Sequence, residues 1–142
     1  MATIFTAEGL REKGFRVSLQ VSQAEIDRAA MDALLCYVGK VSRITVAPDG
    51  IILRTPEQDE AAMQIAVILL LQRHAVATRS GGKTKLSPSQ SENAYPTQVD
   101  FDNANRLLRK VQETDVNAIQ GNVSQLVDDI AGIYYRNTLL SL

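Results

Sequence analysis

The sequence predicts a mainly α-helical fold: a small helical domain of about four to five helices, with one or two short extended or β segments and a long polar loop. Two observations favour helices, namely clear helix-start signals and apolar residues spaced three and four apart. A third is the apolar stretch at residues 61–71, which is interrupted once, by Gln64. The length of 142 residues suits a single domain, 1–142, that is large enough to bury a core.

Composition limits the kinds of function that we expect. Hydrophobic residues make up 45% of the chain, too many for a disordered protein, and the net charge of −1 argues against a dedicated nucleic-acid binder. One cysteine, Cys36, excludes an internal disulfide and a multi-cysteine zinc site, and one histidine, His74, excludes most histidine clusters. We therefore expect no metal and no cofactor.

The N-terminus predicts no secretory signal, since it lacks a basic segment followed by a long apolar run. The apolar stretch 61–71 is also much shorter than the roughly 20 residues that cross a bilayer. We therefore expect a cytoplasmic protein that does not enter a membrane.

The first elements are a short helix and an extended segment. Thr6 is a suitable cap for a helix over residues 7–13, with Gly14 after its end. Residues 15–21 alternate apolar and polar side chains. That period is typical of a strand, but an extended connector laid against the core would show it equally.

The second helix begins with a capping box, Ser22 to Glu25, and should run to about Val38, with Gly39 as its stop. Its predicted apolar face consists of Ile26, Ala29, Ala30, Ala33, Leu34, Tyr37 and Val38. The next segment, 41–53, holds two β-branched pieces around Pro48-Asp49-Gly50. It predicts either a small hairpin or two extended pieces.

The central helix has the clearest start in the chain, Thr55-Pro56-Glu57-Gln58, and should run from Pro56 to about Thr78. Because residues 61–71 are apolar on nearly every side, this helix needs cover all round. It is therefore either central in the domain or shares one face with another subunit.

The C-terminal third predicts a loop followed by two helices. Residues 80–97 are mostly small and polar and form the long flexible loop, and residues 100–111 show a helical apolar face. A last helix should start near 114–115, with one apolar stripe. The stripe consists of Val116, Ile119, Val123, Leu126, Ile130 and Ile133.

No catalytic constellation emerges from the candidate residues. Residues 77–84 loosely match a phosphate-binding loop, but a helix precedes them where that loop needs a strand, and Pro88 would interrupt the helix that should follow. Cys36 lies between Leu35 and Tyr37 on an apolar helix, so we expect a buried, inert thiol. Asp128 and Asp129 diverge by about 100° on a helix, so we expect solvated side chains and a protein that is not an enzyme.

The order of these pieces resembles a known family. A capped helix with small residues precedes Glu60-Ala61-Ala62-Met63-Gln64-Ile65-Ala66-Val67-Ile68-Leu69-Leu70-Leu71-Gln72-Arg73-His74, and a Gly-Gly pair and Ser91-Glu92-Asn93-Ala94-Tyr95 follow. Over roughly residues 22–95, this arrangement resembles the head–tail connector (adaptor) proteins of tailed bacteriophages and prophages.

The resemblance implies a non-enzymatic structural subunit of a phage particle. Such subunits form a homo-oligomeric ring below the portal, contact the portal or other head and tail proteins, and meet DNA only as it passes non-specifically through the channel. The protein would be in the bacterial cytoplasm before it becomes a virion component.

Candidate subunit or partner contacts are two apolar residues of the central helix and three basic residues at its end and in the loop. These residues are Val67, Leu71, Arg79, Lys83 and Lys85. The alternatives are a small cytosolic helical interaction or regulatory protein, and a nucleotide-binding protein that uses residues 77–84.

Overall fold

The computed structural model describes residues 4–18, 20–80, 96–115 and 119–140, with the side chains of 74–80 and 133–140 left out. Within these residues the chain forms five α-helices and one two-stranded antiparallel sheet, so the predicted mainly helical fold is confirmed. The helices are α1 (Ala7–Glu12), α2 (Gln23–Asp32), α3 (Pro56–Ser80), α4 (Gln98–Thr114) and α5 (Val123–Leu140). The strands are β1 (Thr45–Val46) and β2 (Ile52–Leu53).

The predicted caps begin the first two helices. The Thr6 hydroxyl accepts the backbone N–H of Gly9 at 3.0 Å, and the Ser22 hydroxyl accepts that of Glu25 at 3.2 Å. Each bond satisfies a donor that the first turn of a helix would otherwise leave without a partner.

The N-terminal cap of α3 consists of two reciprocal hydrogen bonds. Thr55 accepts the backbone N–H of Gln58 at 3.1 Å, and the Gln58 side chain accepts the backbone N–H of Thr55 at 2.9 Å. This reciprocal pair is the predicted capping box. The helix then continues to Ser80, two residues beyond the predicted end.

The second helix changes its winding near its end. After α2 the chain makes a π-helical turn, Ala33–Tyr37, and then a 3₁₀ turn, Val38–Lys40. The predicted apolar face is buried through these changes, apart from the half-buried Tyr37. The predicted single helix is thus three segments that keep one core-facing side.

The two ambiguous extended segments take different forms. The described part of residues 15–21 is a connector without a strand, whose apolar side chains pack against the core. Residues 41–53 instead form the predicted small hairpin, with Thr45 opposite Leu53 and Val46 opposite Ile52.

The central position of α3 organises the domain. It packs against α2, α4 and α5, and within residues 61–72 only Met63 is half-buried, while every other residue is buried. Of the two predicted alternatives, the structure therefore shows α3 as an internal helix that a single chain covers.

The predicted boundaries after α3 need correction. Thr97 caps α4 by a reciprocal bond pair with Asp100, so α4 starts two residues earlier than expected. Residues 81–95, most of the predicted loop 80–97, lie outside the described residues, and the flexibility prediction is not tested.

The last helix starts at Val123 and not near 114–115. The Asn122 side chain caps it by accepting the backbone N–H of Gln125 at 3.1 Å. Just before this cap, a Cβ at Gly121 would lie 2.7 Å from the Lys40 carbonyl oxygen. This close approach places the non-helical residues 119–122 against the end of the 3₁₀ turn, where the sequence pattern predicted helix.

Candidate interaction surface

The β-hairpin exposes apolar side chains outside the core. Ile51 directly precedes β2, where the Ala47 N–H donates to its carbonyl and continues the pairing of the strands. Because Ile51 and Leu53 are two residues apart in this paired stretch, they project from the same face of the hairpin. Ile52 points the other way and packs against the core as a half-buried residue. Val46, opposite Ile52, remains 57% exposed at the end of β1, while Ile51 is 53% and Leu53 is 54% exposed.

Ile51 and Leu53 lie on one face of the hairpin, whereas Val46 lies on the opposite face with its cross-strand partner Ile52. We call Ile51 and Leu53 the hairpin surface. Among the described residues, four other large apolar side chains are exposed, and each lies on its own: Val46 on the opposite face of the hairpin, and Leu35, Val99 and Ile119 on three further segments. Single exposed apolar residues are ordinary on protein surfaces, whereas a group on one element indicates a contact with another molecule. The hairpin surface is therefore the best candidate site for binding a partner.

The turn of the hairpin is well defined. Gly50 has a φ of 86°, which glycine adopts without the steric penalty of other residues. The Asp49 carboxylate accepts a hydrogen bond from the backbone N–H of Ile51 at 3.1 Å. The backbone N–H of Ala47 donates to the carbonyl oxygen of Ile51 at 2.8 Å. These bonds hold the exposed apolar side chains in one arrangement before any partner binds.

The base of the hairpin is tied to the first turn of α3. Arg54 forms an ion pair with Asp59 and also donates to the Ile52 carbonyl at 3.2 Å. The buried Gln58 side chain donates to Ser42 at 3.0 Å on the other side of the hairpin. The hairpin is thus a fixed projection of the domain.

The sequence-predicted contact residues fall elsewhere. Val67 is 1% exposed and Leu71 is 6% exposed, so the expectation of an outer apolar face on α3 is wrong. Three neighbouring helices cover α3, which leaves neither side chain accessible to another subunit. Arg79 lies in α3, its side chain is not described, and Lys83 and Lys85 lie outside the described residues.

Cys36 is exposed, and the prediction of a buried thiol is wrong. The expectation followed its sequence neighbours, Leu35 and Tyr37, but helical geometry sets the buried side. The face that contains Ala33 and Leu34 turns Cys36 outward with the half-exposed Leu35.

The pKa of the neighbouring Tyr37 is shifted upward. Burial raises the pKa of Tyr37 above its usual 10.0, and the nearby Cys36 and Asp32 raise it further, while Arg73 opposes them. Arg73 is itself ion-paired with Asp32. The phenol therefore remains neutral over the physiological range of pH.

The residues considered for chemistry are only partly described. The chain remains helical through Ser80, so residues 77–80 are the end of α3, while 81–84 lie outside the described residues. His74 is in α3, and its side chain is not described. Asp128 and Asp129 are both exposed, in agreement with the prediction of solvated side chains.

Two searches of the described residues gave negative results. No group of three or more histidine, cysteine, aspartate or glutamate side chains in this part of the chain could hold a metal ion. Within the same part, none of the helices has the length and apolar character that a bilayer crossing needs.

Sequence reasoning missed the hairpin surface, although a signal was present. Ile51, Ile52 and Leu53 are three consecutive apolar residues in a predicted strand. Because side chains alternate between the two faces of a strand, such a run in a hairpin with one covered face must expose apolar residues on the other.

Comparisons of the chain with protein-family models, with curated proteins and with solved structures give no match. The resemblance to head–tail connectors therefore stays a prediction.

Proposed function

We propose that this chain is a non-enzymatic assembly subunit that associates with copies of itself through the hairpin surface. One observation carries the proposal: Ile51 and Leu53 stay more than half exposed on one face of the hairpin, and the core formed by the described residues does not include them. With the sequence resemblance, the specific form that we propose is a head–tail connector, whose ring lies below a phage portal and extends its DNA channel.

The size of the hairpin surface suits a weak, repeated contact. Fully burying one such side chain stabilises a contact by about 1.5–3 kcal/mol, so covering the two half-exposed side chains contributes roughly 2 kcal/mol before the costs of association. This gain is too small for a tight dimer of free subunits. It suits a ring in which each subunit contacts two neighbours and assembles at high concentration or on a portal.

Sedimentation velocity over increasing concentration tests the self-association. The wild-type chain should exceed its monomer mass of 15.5 kDa at high concentration, and Leu53→Glu should remain a monomer. Val99→Glu is the matched control, because it places the same charge at a 65% exposed apolar residue on α4 and should associate like the wild type.

Two results of these experiments would contradict self-association through the hairpin. A Leu53→Glu variant that associates as the wild type does would overturn binding between copies through the hairpin. So would a wild-type chain that shows no mass increase at about 1 mM and also fails to assemble on portal rings.

The connector assignment needs its own test. Genes for head–tail connectors lie beside portal and capsid genes, so the neighbouring genes should encode those proteins. Portal rings from the same genome should bind the wild-type chain and not Leu53→Glu. Neighbouring genes without a portal would instead favour the alternative of a cytosolic helical interaction protein.

A further inference from the structure

Two charged side chains of the hairpin flank its exposed apolar pair. Between residues 41 and 54 the charged residues are Arg43, Asp49 and Arg54, and Arg54 forms an ion pair with Asp59. Arg43 and Asp49 are both exposed, and neither forms an ion pair with a described residue. The described part of the chain therefore leaves one positive and one negative charge of the hairpin available for another molecule.

Arg43 lies at the base of the hairpin, on the face of the apolar pair. Thr45 and Leu53 are directly opposite each other and share this face, and Arg43 is two residues before Thr45. Arg43 and Thr45 are exposed, whereas Ile44 between them is half-buried against the core, as this alternation requires. The Gln58 amide also holds the base, because it donates to the Arg43 carbonyl at 3.2 Å. Arg43 thus adds a positive charge to the base of the hairpin surface.

Asp49 places a negative charge at the tip of the hairpin. Its hydrogen bond from the backbone N–H of Ile51 holds the carboxylate beside the outer end of the apolar pair. From base to tip, the order is therefore Arg43, Leu53, Ile51 and Asp49. Since a strand rises about 3.3 Å per residue, the two charges lie on the order of 15 Å apart, with the apolar pair between them.

This order of charges and apolar side chains is complementary to itself. When two copies face each other with their hairpins in opposite directions, Arg43 of each copy meets Asp49 of the other. Leu53 of each copy then lies opposite Ile51 of the other, so four half-exposed apolar side chains cover one another. Hairpins that face each other in the same direction would instead bring like charges together. The core lies behind the other face of each hairpin, so the two domains stay on opposite sides of the contact.

We propose that the free chain forms a weak two-fold pair, in which two hairpin surfaces pack antiparallel and Arg43 of each copy contacts Asp49 of the other. This inference rests on the proposed function, because it assigns the geometry by which the hairpin surface binds another copy. A two-fold contact uses the same surface on both copies, so it closes at a pair. The pair occupies the hairpin surface and must open before that surface contacts a neighbour in a ring.

Dilution of the full-length, ¹⁵N-labelled chain from about 1 mM, followed by NMR, measures the pair. The hairpin amides should shift with concentration, with a Kd on the order of 1 mM for so small a contact. Added salt should weaken the pair, because it screens the exposed Arg43 and Asp49 charges. Leu53→Glu should show no concentration-dependent shift, since it places a carboxylate between the two surfaces.

Charge reversals test the antiparallel geometry. Arg43→Glu and Asp49→Lys should each weaken self-association about tenfold at low salt, because two attractions become two repulsions. An equimolar mixture of these two variants should restore wild-type affinity, because the introduced glutamate then faces the introduced lysine. Asp49→Asn keeps a side-chain oxygen for the N–H of Ile51 and should weaken the pair several-fold by loss of charge alone. Arg106→Glu reverses an exposed arginine of α4 and should pair like the wild type.

Failure of the pair and failure of the proposed function give different results. Wild-type affinity in both Arg43→Glu and Asp49→Asn, or a mixture of the two reversals that binds no more tightly than either variant, would overturn the antiparallel pair. If Leu53→Glu is still monomeric in that series, association through the hairpin surface stands. A wild-type chain without concentration-dependent shifts up to about 1 mM would also overturn the pair, whereas binding to portal rings would still support the proposed function.

Discussion

Replacing Leu71 with glutamate tests whether α3 is an internal helix of a single chain. Leu71 is 6% exposed among helices that cover α3 on several sides. If that cover belongs to the folded monomer, a carboxylate at this position must destabilise the monomer itself. If the cover were supplied by another subunit, the same change would weaken assembly and spare folding.

The expected cost has two parts. Losing the burial of a leucine costs about 1.5–3 kcal/mol. A glutamate with an ordinary pKa of about 4.3 must protonate to stay buried at pH 7, at roughly 1.4 kcal/mol per pH unit, or about 4 kcal/mol. The sum, about 5–7 kcal/mol, equals the whole stability of many domains of this size.

Leu53→Glu is the matched control for this change. It makes the same substitution at a leucine that is 54% exposed on the hairpin, so its cost should stay within about 1 kcal/mol. Urea unfolding followed by circular dichroism gives both free energies of unfolding. The pH supplies a second signature, because the Leu71→Glu penalty should shrink from pH 7 toward pH 5, where the unfolded carboxyl also begins to protonate.

A Leu71→Glu variant as stable as Leu53→Glu would refute this reasoning. It would return α3 to the role of a shared face, and the predicted contacts at Val67 and Leu71 would regain their physical basis. An unfolded Leu71→Glu beside a folded Leu53→Glu would leave the hairpin surface as the place to look for a partner.

Three further predictions follow from local geometry. Gly121→Ala should lower the free energy of unfolding by about 1–3 kcal/mol in urea, because its Cβ would lie 2.7 Å from the Lys40 carbonyl; wild-type stability would contradict that close approach. Cys36 should react with a thiol reagent in the native protein as fast as in urea, and strong protection would contradict its exposure. Stability should fall as the pH rises above 10, where the unfolded phenol of Tyr37 ionises before the folded one. Tyr37→Phe should reduce that fall in urea unfolding at pH 9 and 11, and an unchanged slope would exclude this contribution.

The positions that the sequence predicted well are those where local chemistry decides. Thr6, Ser22 and Thr55 begin the helices expected of them, since a hydroxyl beside a first turn satisfies orphan amides whatever lies further away. The core face of α2 follows from the same helical period, and Cys36 could have been placed correctly from that period.

Sequence patterns did not predict the location of the candidate site. Basic residues and an apolar helix predicted contacts at Val67, Leu71 and Arg79, whereas the exposed apolar pair of the described residues, Ile51 and Leu53, lies on the hairpin. Whether an apolar residue is exposed depends on how much cover the rest of the chain supplies, and no local pattern contains that quantity. That Gln64 Nε2 is buried without a hydrogen-bond partner among the described residues is likewise visible only once the helices are packed together.

The sequence by itself determined a mainly α-helical domain, the starts of its first three helices and the core-facing sides of α2 and α4. These follow from hydrogen bonds and periodicities that act within a few residues. Only the tertiary structure decided that α3 is covered by its own chain, that residues 119–122 before α5 are not helical, and that the hairpin surface remains open. Gly121 shows the reason: its constraint is the carbonyl of Lys40, a residue 81 positions earlier in the chain that folding brings into contact with it.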